Sequence, residues 1–156
     1  MFSYRMCKAE DFNIWLEMNK AFMDEEIEDT DLWNGTNENS DECFRDTFNG
    51  ALESEELITL MIFEEDDVPV GFANLMTIYS IWAHGKALIL DDLYLIPNVR
   101  GKGYGKKALE HIESFGKDRQ YKRLQFQSEI TNPNAMEFYK SIGYTPADMK
   151  FYVKYF

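Results

Sequence analysis

Apolar residues recur along this chain with two spacings, and the places where one gives way to the other lay out its elements. Residues 2–8 alternate apolar with polar, which predicts a strand covered on one face. Over residues 9–23 the spacing changes: Phe12, Trp15, Met18 and Phe22 fall on one side of a helix. Asn34-Gly35-Thr36-Asn37 has nothing to pack, so residues 30–39 read as loop. Ser40 then offers an N-cap, and Phe44, Phe48 and Leu52 follow four apart on a second helix. Residues 57–63 form an apolar β run, and Glu64-Glu65-Asp66-Asp67 is a solvated hairpin turn. Residues 68–80 return as a strand, with Gly71 the expected site of a bulge.

Residues 81–86 join that strand to the next, a nearly continuous apolar run over 86–95 that predicts cover on both faces. It breaks at Pro97 and is followed by Arg100-Gly101-Lys102-Gly103-Tyr104-Gly105-Lys106-Lys107. A helix then packs through Ala108, Leu109, Ile112 and Phe115, with His111 beside the stripe at the surface and Gly116 as its expected stop. Residues 122–128 read as a short strand. Pro133 suits the first turn of a last helix, Asn132 its cap and Gly143 its end. Residues 149–156 alternate again as a final strand. The order is β-α-α-β-β-β-α-β-α-β, an α/β (α+β) arrangement of a mixed sheet with helices on both faces.

Length and composition narrow the classes. A chain of 156 residues with 45% hydrophobic positions is one folded domain, 1–156. It has no run of 18 apolar residues and no signal-peptide core at its start, so the expectation is a cytoplasmic protein without a membrane partner. Cys7 and Cys43 lack ligand spacing, and with His84 and His111 they predict no metal site. The net charge of −12 is uneven: residues 1–68 carry 20 acidic and 4 basic side chains, the rest 8 and 12. That split suits an anionic ligand on the second half and a cationic one facing the first, though an acidic surface also simply confers solubility. Nucleic acid, which needs an extended basic face, is excluded as partner.

The glycine-rich stretch carries the chemistry. A helix N-terminus has N–H groups without internal partners and a partly positive end, and glycines let those amides close around phosphate oxygens. Arg100, Lys102, Lys106 and Lys107 add charge; the alternative is a plain turn with solvated lysines. Neither a Walker A loop nor a dinucleotide fingerprint fits the glycine spacing. R-x-x-G-x-G does, from Arg100 through Gly103 to Gly105, after a strand carrying Asp92-Leu93-Tyr94-Leu95. About 30 residues on, Asn132, Ala135, Phe138, Tyr139, Gly143 and Tyr144 match N-x-x-A-x-x-[FL]-Y-x-x-x-G-[FY]. Through these motifs the chain resembles the GCN5-related N-acetyltransferase (GNAT) superfamily, in particular its small-molecule and polyamine acetyltransferases. The match is strong over residues 86–145 and rests on element order elsewhere.

The resemblance implies a mostly antiparallel sheet of six to seven strands and an acetyl-CoA-dependent N-acetyltransferase acting on a primary amine by direct attack. It implies that Gly101, Lys102, Gly103, Tyr104, Gly105 and Lys106 cradle the coenzyme A pyrophosphate, with Arg100 in support. Leu93, Tyr94 and Leu95 would offer backbone groups to the pantetheine arm, and Asn132 would meet the cofactor or serve only as a helix cap. Tyr139 would protonate the leaving thiolate, or be a core aromatic. Asp91 or Asp92, adjacent on a strand and therefore expected on opposite faces, would take the proton of the amine or pair with a neighbouring cation. Glu25, Glu26, Glu28 and Trp33 would border a small cationic acceptor; Trp33 and Trp82 would line that pocket or pack in the core. The family often pairs through its last strands, which implies a homodimer over Phe151, Tyr152, Val153, Tyr155 and Phe156. The rival readings are a non-catalytic acyl-CoA-binding regulatory module and a protein or peptide N-acetyltransferase.

Overall fold

The computed structural model of the chain describes residues 1–26, 40–128 and 133–156. Strand β1 (Phe2–Met6) leads through a 3-10 turn (Ala9–Asp11) into α1 (Phe12–Glu26), followed by α2 (Asp41–Glu53). Then come β2 (Ile58–Glu65), β3 (Val68–Ser80) and β4 (Gly85–Leu95), a 3-10 turn (Pro97–Val99), α3 (Tyr104–Asp118), β5 (Arg123–Phe126) and α4 (Pro133–Ser141). The sheet runs β1-β2-β3-β4-β5; its first four strands pair antiparallel, and β5 joins β4 in parallel.

The two faces of the sheet carry separate cores. Leu60 and Ile62 of β2 meet Phe12, Trp15 and Leu16 of α1 and Phe48 of α2. Met61 and Phe63, the alternate residues, turn to the other face, where Ala73, Leu75, Leu88 and Leu90 meet Ala108, Leu109, Ile112 and Phe115 of α3. Phe48, Phe63 and Phe72 are fully enclosed, and burying each such side chain stabilises the fold by about 2–3 kcal/mol. An ion pair pins the entry to α1. The Arg5 guanidinium donates from Nη1 and Nη2 to the Asp11 carboxylate at 2.6 and 2.9 Å and from Nε to Glu64 at 2.7 Å. Asp11 is buried, and its bond to Arg5 holds its carboxyl below the usual carboxylate range.

Several expectations hold closely. Ser40 caps α2, its Oγ accepting the Cys43 N–H at 3.2 Å. The β2–β3 hairpin turns on Asp66 and Asp67, both at positive φ (52° and 65°), the backbone of a type I′ turn. The bulge expected at Gly71 falls on Val70, its neighbour. Gly71 itself is required by close approach, because a Cβ there would lie 2.3 Å from the Tyr94 carbonyl oxygen.

Other expectations are corrected. The described residues form five strands rather than six to seven, because residues 149–156 carry no strand. Alternation defines which face a segment would bury but supplies no edge to pair with, and a strand exists through its hydrogen-bonded neighbour. Met149, Tyr152 and Phe156 are accordingly exposed. Trp82, placed in a pocket or the core by its size, is 91% exposed in the β3–β4 turn. His111 is not a bare surface residue; its ring lies 5.1 Å from that of Tyr4 and 5.9 Å from that of Phe2. No helix among the described residues is long and apolar enough to cross a membrane.

Gly116 does not end α3, which runs on to Asp118. The stop is a Schellman motif built on Gln120: the Tyr121 N–H donates to the Gly116 carbonyl (2.9 Å) and the Gln120 N–H to that of Lys117 (3.0 Å). The Tyr121 ring folds back onto Phe115, the apolar contact that accompanies such a cap. Gln120 stands at φ 61°, where glycine would be unstrained. Gln120→Gly should therefore raise stability by about 0.5–1 kcal/mol, read as a higher denaturant midpoint with an unchanged m-value.

Candidate active site

The site is built where β4 changes its partners. Along β3, Asn74 lies opposite Asp92 and Leu75 opposite Leu90, so Asp91 is the extra residue of a β-bulge. The bulge resets the strand's parity: Leu88 and Leu90 before it, and Leu93 and Leu95 after it, all face the α3-side core. Strict alternation would have sent Asp92 into that same core after Leu90. It turns instead to the α1 side, with Tyr94 two residues on. The expected opposition of two regularly alternating aspartates is thus replaced by an exposed Asp91 at the bulge and a half-buried Asp92 beyond it.

At the same level β5 leaves. Its pairing with β4 ends at Leu90 opposite Phe126, while β4 continues to Leu95. The Ile96 N–H donates to the Val70 carbonyl at 3.0 Å on the β3 side. Alternation therefore points the main-chain groups of Leu93 and Leu95 toward the edge β5 has vacated. On that edge the Leu95 carbonyl accepts Arg100 Nε at 2.7 Å.

The glycine-rich turn follows. Gly101 and Gly103 take left-handed φ (75° and 80°), and Gly103 is the N-cap of α3. The first helical bond runs from the Lys107 N–H to the Gly103 carbonyl (3.3 Å), so the N–H groups of Tyr104, Gly105 and Lys106 have no acceptor within the helix. A Cβ on Gly101 or Gly103 would meet no atom within 4 Å; it would project into the open space before the helix end. That opening, backed by three amides and the positive end of a 15-residue helix, fits a pyrophosphate.

Side chains around the turn are sorted by their contacts. Tyr104 stacks on Phe2 at 4.6 Å and hydrogen-bonds Glu65, so only its main chain faces the opening. Lys106 pairs with Glu110 at 3.8 Å, Lys107 lies 5.1 Å from the Tyr104 ring centroid, and Lys102 is exposed. Arg100 reaches away from the turn, donating from Nη2 to Glu25 at 2.7 Å; the Tyr94 hydroxyl donates to the other Glu25 oxygen at 3.2 Å. Glu25, expected beside the acceptor, is thus neutralised by Arg100 at the end of α1. Glu26 is the last residue of that helix. Glu28, Trp33 and Asn132 lie outside the described residues.

Helix α4 borders the vacated edge. Tyr139 packs on Phe126, ring centroids 4.6 Å apart, where β5 parts from β4. Phe138 comes within 3.7 Å of the place a Gly105 Cβ would occupy, and so touches the start of α3. Tyr144 donates to Glu113 at 2.9 Å, and burial with that bond pushes its phenol up. Asp91 and Asp92 are both raised by desolvation, Asp92 to about 6 even though a bond from Asn74 lowers it. Asn74 escaped the sequence reading. Its only signal was one amide in the apolar run Val70-Gly71-Phe72-Ala73-Asn74-Leu75-Met76.

The chain is similar to known proteins. Over 93 residues the chain is 31% identical to the uncharacterised N-acetyltransferase YhfO of Bacillus subtilis (strain 168), covering 60% of this chain and 62% of that one. Over 74 residues it is 31% identical to thialysine N-epsilon-acetyltransferase of Bos taurus, covering 47% of this chain and 43% of that one. The matched segments thus span roughly half the length of these curated relatives. A solved structure described as a possible acetyltransferase from Clostridium difficile 630 superposes with a TM-score of 0.81 at 18% identity, covering 100% of this chain and 98% of that one, and shares the fold. Residues 15–144 match the model of the acetyltransferase (GNAT) family, and with the amide-lined turn, the parted strands and α4 across them, the chain belongs to that family.

Proposed function

We propose that this chain is an enzyme that transfers the acetyl group of acetyl-CoA to a primary amine of a small cationic acceptor by direct attack. The reading is carried by the vacated edge of β4, which opens between the phosphate-sized mouth of α3 and Tyr139. The thioester supplies an acyl group activated toward amines. The N–H groups of Gly101 to Lys106 hold the pyrophosphate, with Lys102 adding charge nearby. Leu93 and Leu95 present backbone donors that bind the pantetheine arm and stabilise negative charge on the acyl oxygen. Asn132, which precedes Pro133 in the sequence, is assigned to the cofactor.

Proton movements fall to two side chains. Asp92, with its carboxyl near 6, is ionised at neutral pH yet basic enough to take a proton from the incoming ammonium, directly or through water. Tyr139 gives its phenolic proton to the departing thiolate; a phenol of pKa about 10 and a thiol of about 8.5 are matched for this. Asp91, exposed at the bulge, attracts the cation. Glu26, Glu28 and Trp33 are assigned to the acceptor by sequence, and the −16 balance of residues 1–68 favours a polycation. The likeness to a thialysine acetyltransferase supports an amine acceptor. Arg100 is assigned a different part from phosphate binding: it ties the Leu95 carbonyl to Glu25, fixing the turn to the end of α1.

Two measurements test this. A panel of polyamines, aminosugars, lysine analogues and basic peptides, assayed with acetyl-CoA by free-thiol release, should favour small polycations; release only with peptides would assign a protein acceptor. Tyr139→Phe should cut kcat by about 10²-fold with coenzyme A affinity unchanged. If wild type and variant both bind coenzyme A and neither turns over, the chain is a binding module.

Asp92 gives an opposed pair of effects. Its carboxyl is raised to about 6, so folding favours the neutral form, and stability is lost as pH rises from the unfolded carboxylate range through 6. Asp92→Asn keeps an oxygen for Asn74. It should stabilise the protein by about 1–2 kcal/mol above pH 7 and leave it unchanged below pH 4. Turnover should fall and the acid limb near pH 6 should disappear. Thermal melts and rate profiles across pH check both.

A further inference from the structure

A chain of four hydrogen bonds runs from α1 through β3 to Asp92. Asn19 Nδ2 donates to the Trp15 carbonyl at 2.6 Å. Asn74 Nδ2 donates to Asn19 Oδ1 at 3.1 Å and to Asp92 Oδ2 at 2.8 Å. The Trp15 indole Nε1 donates to Asn74 Oδ1 at 3.1 Å. Trp15 and Asn19 are buried.

The chemistry of these groups permits one polarity. An indole N–H can only donate, so the face of the Asn74 amide toward Trp15 must be its oxygen. A main-chain carbonyl can only accept, so Asn19 must turn its nitrogen to Trp15 and its oxygen to Asn74. Both constraints leave the Asn74 nitrogen facing Asp92. The carboxylate thus receives a donor whose orientation it does not itself decide. A donor favours the charged form, and it holds one carboxylate oxygen so that the other is aimed.

We propose that Asn74, locked by the Trp15 indole and Asn19, is a positioning residue that keeps Asp92 ionised and aimed to accept the acceptor's proton. The assignment rests on the reading of Asp92 as base. Asn74 does not touch substrate; it acts through Asp92. The groups around Asp92 leave this role to it. Helix α1 brings Trp15, Met18 and Asn19 to this face, none of them titratable; β3 brings Asn74; and β4 brings Asp91, whose negative charge raises Asp92. Among the described residues, Asn74 is what opposes burial and Asp91.

The test uses Asn74→Leu, which keeps the branched shape and removes the donor, and Trp15→Phe, which keeps an aromatic side chain and removes one of the two locks on the amide. The Asp92 carboxyl is titrated by 13C NMR in the protein without acetyl-CoA, and kcat/KM is followed from pH 5 to 9. Asn74→Leu should raise the Asp92 midpoint and the acid limb together by about one pH unit, a roughly fivefold loss at pH 6 that shrinks to within about twofold by pH 8. Trp15→Phe should shift both the same way by less, and in an Asp92→Asn background neither change should move the profile. A lowered melting temperature with both midpoints unmoved, in either variant, would overturn the proposal and leave Asn74 a packing residue. A moved NMR midpoint with an acid limb that ignores it, or that survives Asp92→Asn, would keep the charge control but remove Asp92 as base, and the positioning role with it. Absence of turnover on every amine, with the NMR shift intact, would instead count against the enzymatic reading.

Discussion

The bulge at Asp91 is the constraint on which the site depends. A strand covered on both faces must send alternate residues into each core, and strict alternation after Leu88 and Leu90 would bury Asp92 among α3's aliphatic side chains. A carboxylate there costs several kcal/mol unless it is protonated or paired. One inserted residue moves Asp92 to the α1 side, where Asn74 meets it, and returns Leu93 and Leu95 to the apolar core. The same stretch of β4 loses β5, so a single irregularity coincides with both the turned acid and the open main-chain edge.

Around that point the two cores do different work. The α3-side core holds the helix whose N-terminus faces the opening, and it includes Val99 of the short turn that leads there. The α1-side cores hold Trp15 and Met18, and through them the polar chain to Asp92. Arg100 links the sides, joining the Leu95 carbonyl to Glu25 at the end of α1. That ion pair is about 40% exposed and adds little stability by itself. Its consequence is geometric, since the turn and α1 cannot separate without breaking it.

The polar network sets an opposition between folding and chemistry. Asp92 is held where desolvation resists its charge, which weakens the fold at neutral pH, and the amide of Asn74 offsets only part of that resistance. A carboxyl near neutrality is also what an amine acceptor requires of a base. The strain against ionisation and the proposed activity therefore share one origin.

Much of this was legible in the residues alone. Period-2 and period-3.6 spacing placed in order the nine strands and helices of the described residues from β1 to α4, because burial of one face forces those periods. The glycines at 101 and 103 announced left-handed turns before a helix, since few other residues tolerate that φ. What the tertiary structure decided were matters of pairing. The final alternating segment found no edge, Gly116 yielded to a cap closed by Tyr121 on Phe115, and the parity of Asp91 and Asp92 was reset by register with β3. The bonds behind Asp92 join residues 15 and 19 of α1 to residue 74 of β3, segments with no period in common. A hydrogen bond between distant segments leaves no period in a sequence, and only the packing of α1 on the sheet brings those donors and acceptors within 3 Å or so of one another.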